Sequence, residues 1–278
     1  MIAGMSQVLN QHRGGAGEPL VLLHGIGGSW RSWTPVLPAL EQRFEVIALD
    51  LPGFGGSPPQ PDRAASIDGQ ADAIERELDA AGFATAHLAG NSSGGWLALE
   101  LARRERARTV AALSPAGMWN GLEDRYRYHL LRNAHYAAKF LRHHPAATAT
   151  TPRRWLLNWW LFMAHPGRWS ADEASASMHD LASVSYMEFL RWTRGRRVSG
   201  LPEIHCPVLI AWGSRDFLLP RRQAVRFIGA LPAGVGEFKL LRGVGHVPMA
   251  DDPELIATTI TEFALGVGSA DAAYKPNG

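Results

Sequence analysis

The sequence predicts an α/β protein: a doubly wound, mostly parallel sheet carrying one inserted block of helices. Three observations predict it. Short apolar runs bounded by glycine and proline recur at long intervals, in "PLVLLHG", "FEVIALDLPG", "TAHLAGNSS", "TVAALSPAG", "CPVLIAWGS" and "GEFKLLRG". Strands buried on both faces lose polar alternation and read this way, and each run is too short for a buried helix. Helical patterns lie between them, as in "SIDGQADAIERELDAAG" with Ile74 and Leu78 one turn apart, "GGWLALELARR" and "PRRQAVRFIGALP". Strands that alternate with helices build a parallel sheet. The rhythm breaks once, between "LSPAG" and "PEIHCPVLI", where helix-forming composition holds six of the ten tryptophans and no clear strand. The expected organisation is a sheet domain over 1–117 and 202–265, a helical cap over 118–201, and a loose small-residue tail over 266–278.

Composition narrows the function classes. The 278 residues are 46% hydrophobic and 19% charged, enough for one large domain or for one domain carrying an insertion. A net charge of +2 argues against a chain held to nucleic acid through phosphates. Cys206 is the single cysteine, which rules out a disulfide framework and a cysteine metal cluster and suits a reducing, cytoplasmic home. The opening "MIAGMSQVLNQHRGG" has no basic region followed by an apolar core, and no window nears the ~18 apolar residues of a spanning helix. Neither a secretory signal nor an integral membrane segment is expected.

In an open parallel sheet, ligands gather outside the carboxyl ends of the strands. "LAGNSSGGWLAL" is such a strand-to-helix turn, with two adjacent serines. The frame glycine, any, serine, any, glycine is met by Gly90, Asn91, Ser92, Ser93 and Gly94; shifted by one place it fails, because Asn91 takes the leading position. The frame therefore chooses Ser92. Glycines clear the space around a sharp, strained turn and leave the hydroxyl exposed, whereas Ser93 serves through its backbone N–H at the start of a helix. The competing structural reading is a glycine-rich turn whose serines cap the helix.

Other residues decide between the two. "HGIGGSW", after the first clear strand, can turn backbone N–H groups into a cavity; it lacks the Lys and Ser/Thr of a phosphate loop and the dinucleotide frame. Acyl transfer needs two N–H donors for the oxyanion, assigned here to Ile26 and Ser93. "LIAWGSRDFLLP" puts Asp216 just past one strand and "LLRGVGHVPMADDP" puts His246 just past the last. Alone, each reads as a helix N-terminal acid and a loop histidine. Together they give the order Ser, Asp, His, each at a different strand end, unlike the orders of chymotrypsin-like and subtilisin-like folds.

"HGIGGSW", "DLPGFGGS", "GNSSGG", "WGSRD" and "GVGHVP", in this order and spacing, resemble the α/β-hydrolase superfamily across roughly residues 18 to 265. The resemblance implies a cofactor-free serine hydrolase with Ser92, Asp216 and His246 catalytic and a small-molecule acyl substrate. Members commonly open with a β-hairpin before the "HG" strand, whereas "SQVLNQHRG" supplies about one strand. Many carry a larger apolar residue where Ser93 stands. Haloalkane dehalogenases and epoxide hydrolases of the superfamily use Asp at the turn, so Ser92 argues against them. Carbon–carbon bond hydrolases of ring-fission products are nearer, but they typically follow the histidine with Trp, and here Val247 follows. Perhydrolases and haloperoxidases share the serine triad.

The insertion is basic: residues 118 to 200 hold twelve Arg and Lys against six Asp and Glu. Attraction of an anionic substrate and contact with an acidic membrane are the functional readings; solvated helix faces with Arg stems over apolar surface are the structural one. In "RRWLLNWWLFMAHP", Trp155, Trp159 and Phe162 share a helical face that either packs the cap on the sheet domain or lines an acyl pocket. His143 and His144 point apart on a helix, which argues against a metal site. His24 and Asp50 read as structural, and Cys206 as an inert thiol. The leading reading is a carboxylic ester hydrolase. A thioesterase or carbon–carbon hydrolase with the same triad is the enzyme alternative, and a relative that binds a ligand without turnover is the alternative from another class.

Overall fold

A computed structural model describes residues 8–59, 65–144, 146, 149–150, 152–153 and 163–266. Seven strands form one sheet: β1 (Gln11–Gly15), β2 (Glu18–Leu23), β3 (Phe44–Leu49), β4 (Ala86–Asn91), β5 (Ala107–Leu113), β6 (Val208–Gly213) and β7 (Gly236–Leu241). Their order is β1-β3-β2-β4-β5-β6-β7. Every pair is parallel except β1 with β3, which run antiparallel with Gln11 opposite Leu49. The six apolar runs are thus β2 to β7, and "SQVLNQHRG" supplies the edge strand β1.

Alternation explains why the runs are continuously apolar. Val21, Leu23, Ile47, Leu49, Val110, Ala112, Ile210 and Trp212 face one core, and Leu20, Leu22, Val46, Ala48, Ala111, Leu113, Leu209 and Ala211 the other. Successive side chains in a strand point to opposite faces, so a sheet covered on both sides needs apolar residues at every position. The first core is closed by α2 (Ile67–Ala80) and α3 (Ser93–Arg103), with Ile74 and Leu78 both buried. The second is closed in part by α1 (Leu37–Leu40). The α2 start follows its capping chemistry: the Ser66 side chain accepts a hydrogen bond from the Gly69 N–H at 3.0 Å.

Between β5 and β6 the chain forms α4 (Gly121–Leu141), α5 (Ala171–Leu181) and α6 (Tyr186–Thr193), with no strand among the described residues there. Both α4 and α5 open with a capping box, Asn120 with Glu123 and Ser170 with Glu173. Trp119 and Trp192 of this segment pack on Trp96 of α3, with centroids 5.8 and 6.1 Å away. Glu123 also pairs with Arg222 and Arg226 of α7 (Arg222–Ala230), the latter at 2.6 Å. Burial pushes the Glu123 carboxyl up, but hydrogen bonds from Arg226, the Asn120 N–H and Arg222 outweigh it and hold the pKa at about 2. After β7 come α8 (Pro248–Asp251) and α9 (Pro253–Ala264), and α9 adds Ile256 and Ile260 to the second core.

The strand order positions the site. From β2 the chain moves to β3 on one side, and β4 then lies on the other. The loops leaving β2 and β4 therefore diverge at a topological switch point, where a crevice opens.

Candidate active site

Ser92 sits between β4 and α3 with φ 57° and ψ −117°, a conformation an L-residue reaches only under strain. Three hydrogen bonds hold it there. Its N–H donates to Leu113 O at 3.0 Å, and its carbonyl accepts from the N–H groups of Ala116 (2.9 Å) and Trp96 (3.2 Å). The flanking glycines are steric necessities: a Cβ on Gly90 would lie 2.2 Å from Gly94 O, and one on Gly94 would lie 2.1 Å from Leu23 O. Both obstacles are backbone, which cannot rotate away. Gly94→Ala is expected to destabilise the fold by about 3 kcal/mol, read as a lower denaturant midpoint, because β2 and α3 must separate to admit the methyl group.

Asp216 and His246 reach the same place from β6 and β7. His246 Nδ1 lies 2.8 Å from Asp216 Oδ2, and the Asp216 carboxylate is fully buried. The other carboxylate oxygen accepts from the N–H groups of Leu218 and Leu219, at 3.0 and 2.9 Å. That leaves Oδ2 for the imidazole. Close approach of the two loops fixes the pair: Arg215 N–H donates to Val244 O at 2.9 Å, and a Cβ on Gly213 would lie 2.2 Å from Gly245 O. Ser92 and His246 line one cavity of about 70 Å³ with Gly25, Val247, Leu131 and Trp169.

Ile26 and Ser93 flank Ser92 in a second, smaller cavity of about 20 Å³. Gly25 lets the Ile26 loop lie against the Ser92 turn, since a Cβ there would be 3.1 Å from Ser92 Cβ. Ser93 is the first residue of α3, so its N–H has no intrahelical acceptor. Its own hydroxyl is buried and makes no hydrogen bond among the described residues. Trp155 and Trp159 lie outside the described residues.

Sequence reasoning missed two residues that hold the histidine loop. Asn91 Nδ2 donates to His246 O at 2.8 Å and to Leu113 O at 3.0 Å. Asp251 accepts from Gly245 N–H at 2.7 Å, and also from the N–H groups of Ala164 (2.9 Å) and His165 (2.7 Å) of the inserted segment. One carboxylate thus ties that segment to the residue before His246. In sequence Asn91 was a variable place in a glycine frame and Asp251 one acid of "ADDP"; neither carries a local signal.

His24 and Asp50 are structural. His24 Nδ1 lies 2.7 Å from Gly25 O, and Nε2 accepts from Leu51 N–H at 3.0 Å. Burial pushes its pKa down, so the neutral ring clamps two loops. Asp50 accepts from Trp30 N–H at 2.6 Å and Gly56 N–H at 2.7 Å. Burial raises the Cys206 thiol to about 11, away from reactivity at neutral pH. Among the described residues no group of three His, Cys, Asp or Glu side chains could hold a metal ion, and no helix is long and apolar enough to cross a membrane.

Gly27, Gly28 and Trp169 of the larger cavity also line a neighbouring space of about 350 Å³, bordered by Arg31, Asp172, Glu173 and Asp180. The basic excess of the insertion does not line this mouth, whose described lining charges are mainly acidic. Burial, with Asp50 adding repulsion, lifts Asp180 to about 6 despite the Ser29 hydroxyl that donates to it at 2.6 Å. An unfolded aspartate titrates near 3.9, so the folded state holds this proton more tightly. Its contribution to stability is present below about pH 4 and lost as pH rises through about 6. Asp180→Asn is expected to raise Tm at neutral pH relative to the parent, with the difference vanishing near pH 4.

The alpha/beta hydrolase fold family profile matches residues 18–253. Epoxide hydrolase EphH of Mycobacterium tuberculosis is 33% identical over 207 residues, covering 69% of this chain and 92% of that protein. A 2-hydroxymuconate semialdehyde hydrolase of Pseudomonas sp. is 40% identical over 114 residues, covering 39% of this chain and 40% of that protein. Among solved structures, a thermophilic esterase from Thermogutta terrifontis superposes with TM-score 0.68 at 23% identity, covering 93% of each chain. The switch-point crevice, the strained serine turn and the profile spanning most of the sequence lead to one assignment: the chain belongs to the alpha/beta hydrolase fold family.

Proposed function

We propose that the protein hydrolyses carboxylic esters through an acyl-enzyme on Ser92, beneath a helical cap formed by residues 118–201. The observation that carries this reading is the buried Asp216–His246 hydrogen bond in a cavity that also exposes the strained Ser92. Ser92 Oγ attacks the acyl carbonyl while His246 takes its proton; the proton then passes to the departing alcohol, and water repeats the cycle on the acyl-enzyme. Asp216 orients the ring and stabilises the imidazolium. The N–H groups of Ile26 and Ser93 receive the oxyanion, each donor of this type contributing about 3 kcal/mol.

The relatives sharpen the choice of bond. A carboxylate that opens an epoxide leaves an ester that water can cleave; a serine alkoxide would leave an ether with no carbonyl to attack. Ser92 therefore separates this chain from that chemistry, although a 33% identical relative is named an epoxide hydrolase. The semialdehyde hydrolase match favours carbon–carbon cleavage as the second reading. Val247 beside His246 counts against it, and a thioester would use the same residues. A small-molecule substrate and a cytoplasmic site of action accompany the reading.

The cavities support one arrangement of the two halves of the substrate. His246 protonates the leaving group, so the alcohol occupies the cavity that His246 lines, which shares Gly27, Gly28 and Trp169 with the larger space. The acyl group then enters the cavity of about 20 Å³ beside Ile26 and Ser93, with room for about two or three bonded heavy atoms beyond the carbonyl. With a 4-nitrophenyl ester series, kcat/KM is expected to fall once the acyl chain exceeds about four carbons. Enlarging the alcohol of an acetate is expected to be tolerated. Activity that rises steadily toward long acyl chains would contradict this assignment.

A further inference from the structure

The small cavity ends in polarity that an aliphatic acyl chain cannot use. Trp119, just ahead of α4, and Arg127, on α4, both line it, and both side chains are almost wholly buried, at 2% and 3% exposure. The Arg127 guanidinium stacks on the Trp119 ring with Cζ 3.5 Å from the centroid. Its terminal nitrogens are engaged: Nη2 donates to Asp124 Oδ1 at 2.5 Å and Thr193 O at 3.0 Å, and Nη1 donates to Thr193 Oγ1 at 3.2 Å. Two other donors of the pair are not so committed. Arg127 Nε and Trp119 Nε1 are buried donors with no acceptor among the described residues. A buried donor without an acceptor costs on the order of 1–3 kcal/mol, and a whole guanidinium buried for packing alone is rare.

We infer that Trp119 and Arg127 form an acyl-end subsite in which two N–H donors accept a substrate whose acyl group carries a neutral acceptor oxygen. The inference rests on the acyl-enzyme reading above and adds the chemistry of the acyl group. Neutrality follows from Asp124, which already balances Arg127 and also accepts the Gly195 N–H at 2.8 Å. An anionic group would bring a second negative charge to one guanidinium in a pocket too small for water to screen it. Burial pushes the Arg127 pKa down to about 10, which still leaves the guanidinium charged and donating at neutral pH. An oxo, hydroxyl or ether oxygen two or three atoms from the carbonyl meets both donors without disturbing the pair. A site built to hydrogen-bond a substrate discriminates strongly against the analogue lacking that atom.

The test compares 4-nitrophenyl methoxyacetate with 4-nitrophenyl butanoate, which have equal chain lengths and differ by an oxygen in place of a methylene. The kcat/KM ratio is measured for the parent, for Trp119→Phe and for Arg127→Lys. Trp119→Phe keeps an aromatic ring under Arg127 and removes the indole N–H together with part of the fused ring; Arg127→Lys keeps the charge opposite Asp124 and removes Nε. Referring each variant's ratio to the parent's cancels the greater intrinsic reactivity of the ether-bearing ester. The expected result is a fall in the ratio of about fivefold in each variant. Should Arg127→Lys not fold, Trp119→Phe decides alone. A ratio within about twofold of the parent's in every folded variant, with Ser92-dependent turnover of both esters, would overturn the subsite while leaving the hydrolase reading intact. Faster turnover of 4-nitrophenyl hemisuccinate than of both neutral esters overturns the restriction to neutral groups. Turnover of neither ester above the Ser92→Ala background overturns the acyl-enzyme reading, and the subsite with it.

Discussion

Ser92→Ala is expected to lower kcat/KM for an ester substrate by roughly 10⁴-fold or more, the scale seen when a triad nucleophile is removed. Ser93→Ala is expected to stay within about tenfold of the parent, since oxyanion contacts come from backbone. The contrast comes from the turn itself. Ser92 holds the strained φ of 57° between the glycines, whereas Ser93 is the first residue of α3 and its buried hydroxyl meets no acceptor among the described residues. Removing that hydroxyl forfeits no hydrogen bond there and leaves the N–H in place. Initial rates on one activated ester, with circular dichroism to verify folding, check both. The reverse pattern would mean that the glycine frame selects the wrong serine.

Asp216→Asn is expected to cost about 10⁴-fold in kcat with little change in KM. Asp216 Oδ1 already accepts two backbone N–H groups, so an asparagine keeps its carbonyl oxygen there and turns its NH₂ toward His246. The ring must then present a lone pair at Nδ1 and carry its proton on Nε2, which is the wrong tautomer for taking a proton from Ser92. The loss should ease at high pH only if hydroxide attack bypasses the histidine. Steady-state kinetics across pH 6 to 9 read this directly.

Much of this was legible in the sequence because the sheet is covered on both faces. Most of the apolar runs have little polar alternation to confuse them, the edge run "GEFKLLRG" with Glu237 and Lys239 being the exception, and the strand ends mark where functional side chains can converge. Standing just past three such ends is what singles out Ser92, Asp216 and His246 as candidates, and the fold brings Asp216 and His246 within hydrogen-bonding distance. The "NGLE" and "SADE" starts of α4 and α5 were legible too, as capping boxes, but were lost in the count of charges over the whole segment. Counting charge concealed Arg127, which added to the basic excess in sequence but is buried against Asp124 and Trp119 in the fold. It also concealed the acidic lining of the cavity mouth, where Asp172, Glu173 and Asp180 share one space with Arg31 from a distant loop. Asn91 and Asp251 were illegible for a related reason: each acts through a backbone group far away in sequence. Local patterns report which face of an element is buried, and contacts between loops carry no period.

The most direct test of the central claim, that Ser92 is an activated nucleophile, is the intact mass of the protein after exposure to a fluorophosphonate probe, alongside Ser92→Ala. One covalent adduct on the parent and none on the variant is the predicted result. No adduct on either, or one that persists on Ser92→Ala, would contradict it, and the first outcome would favour a relative that binds a ligand without turning it over.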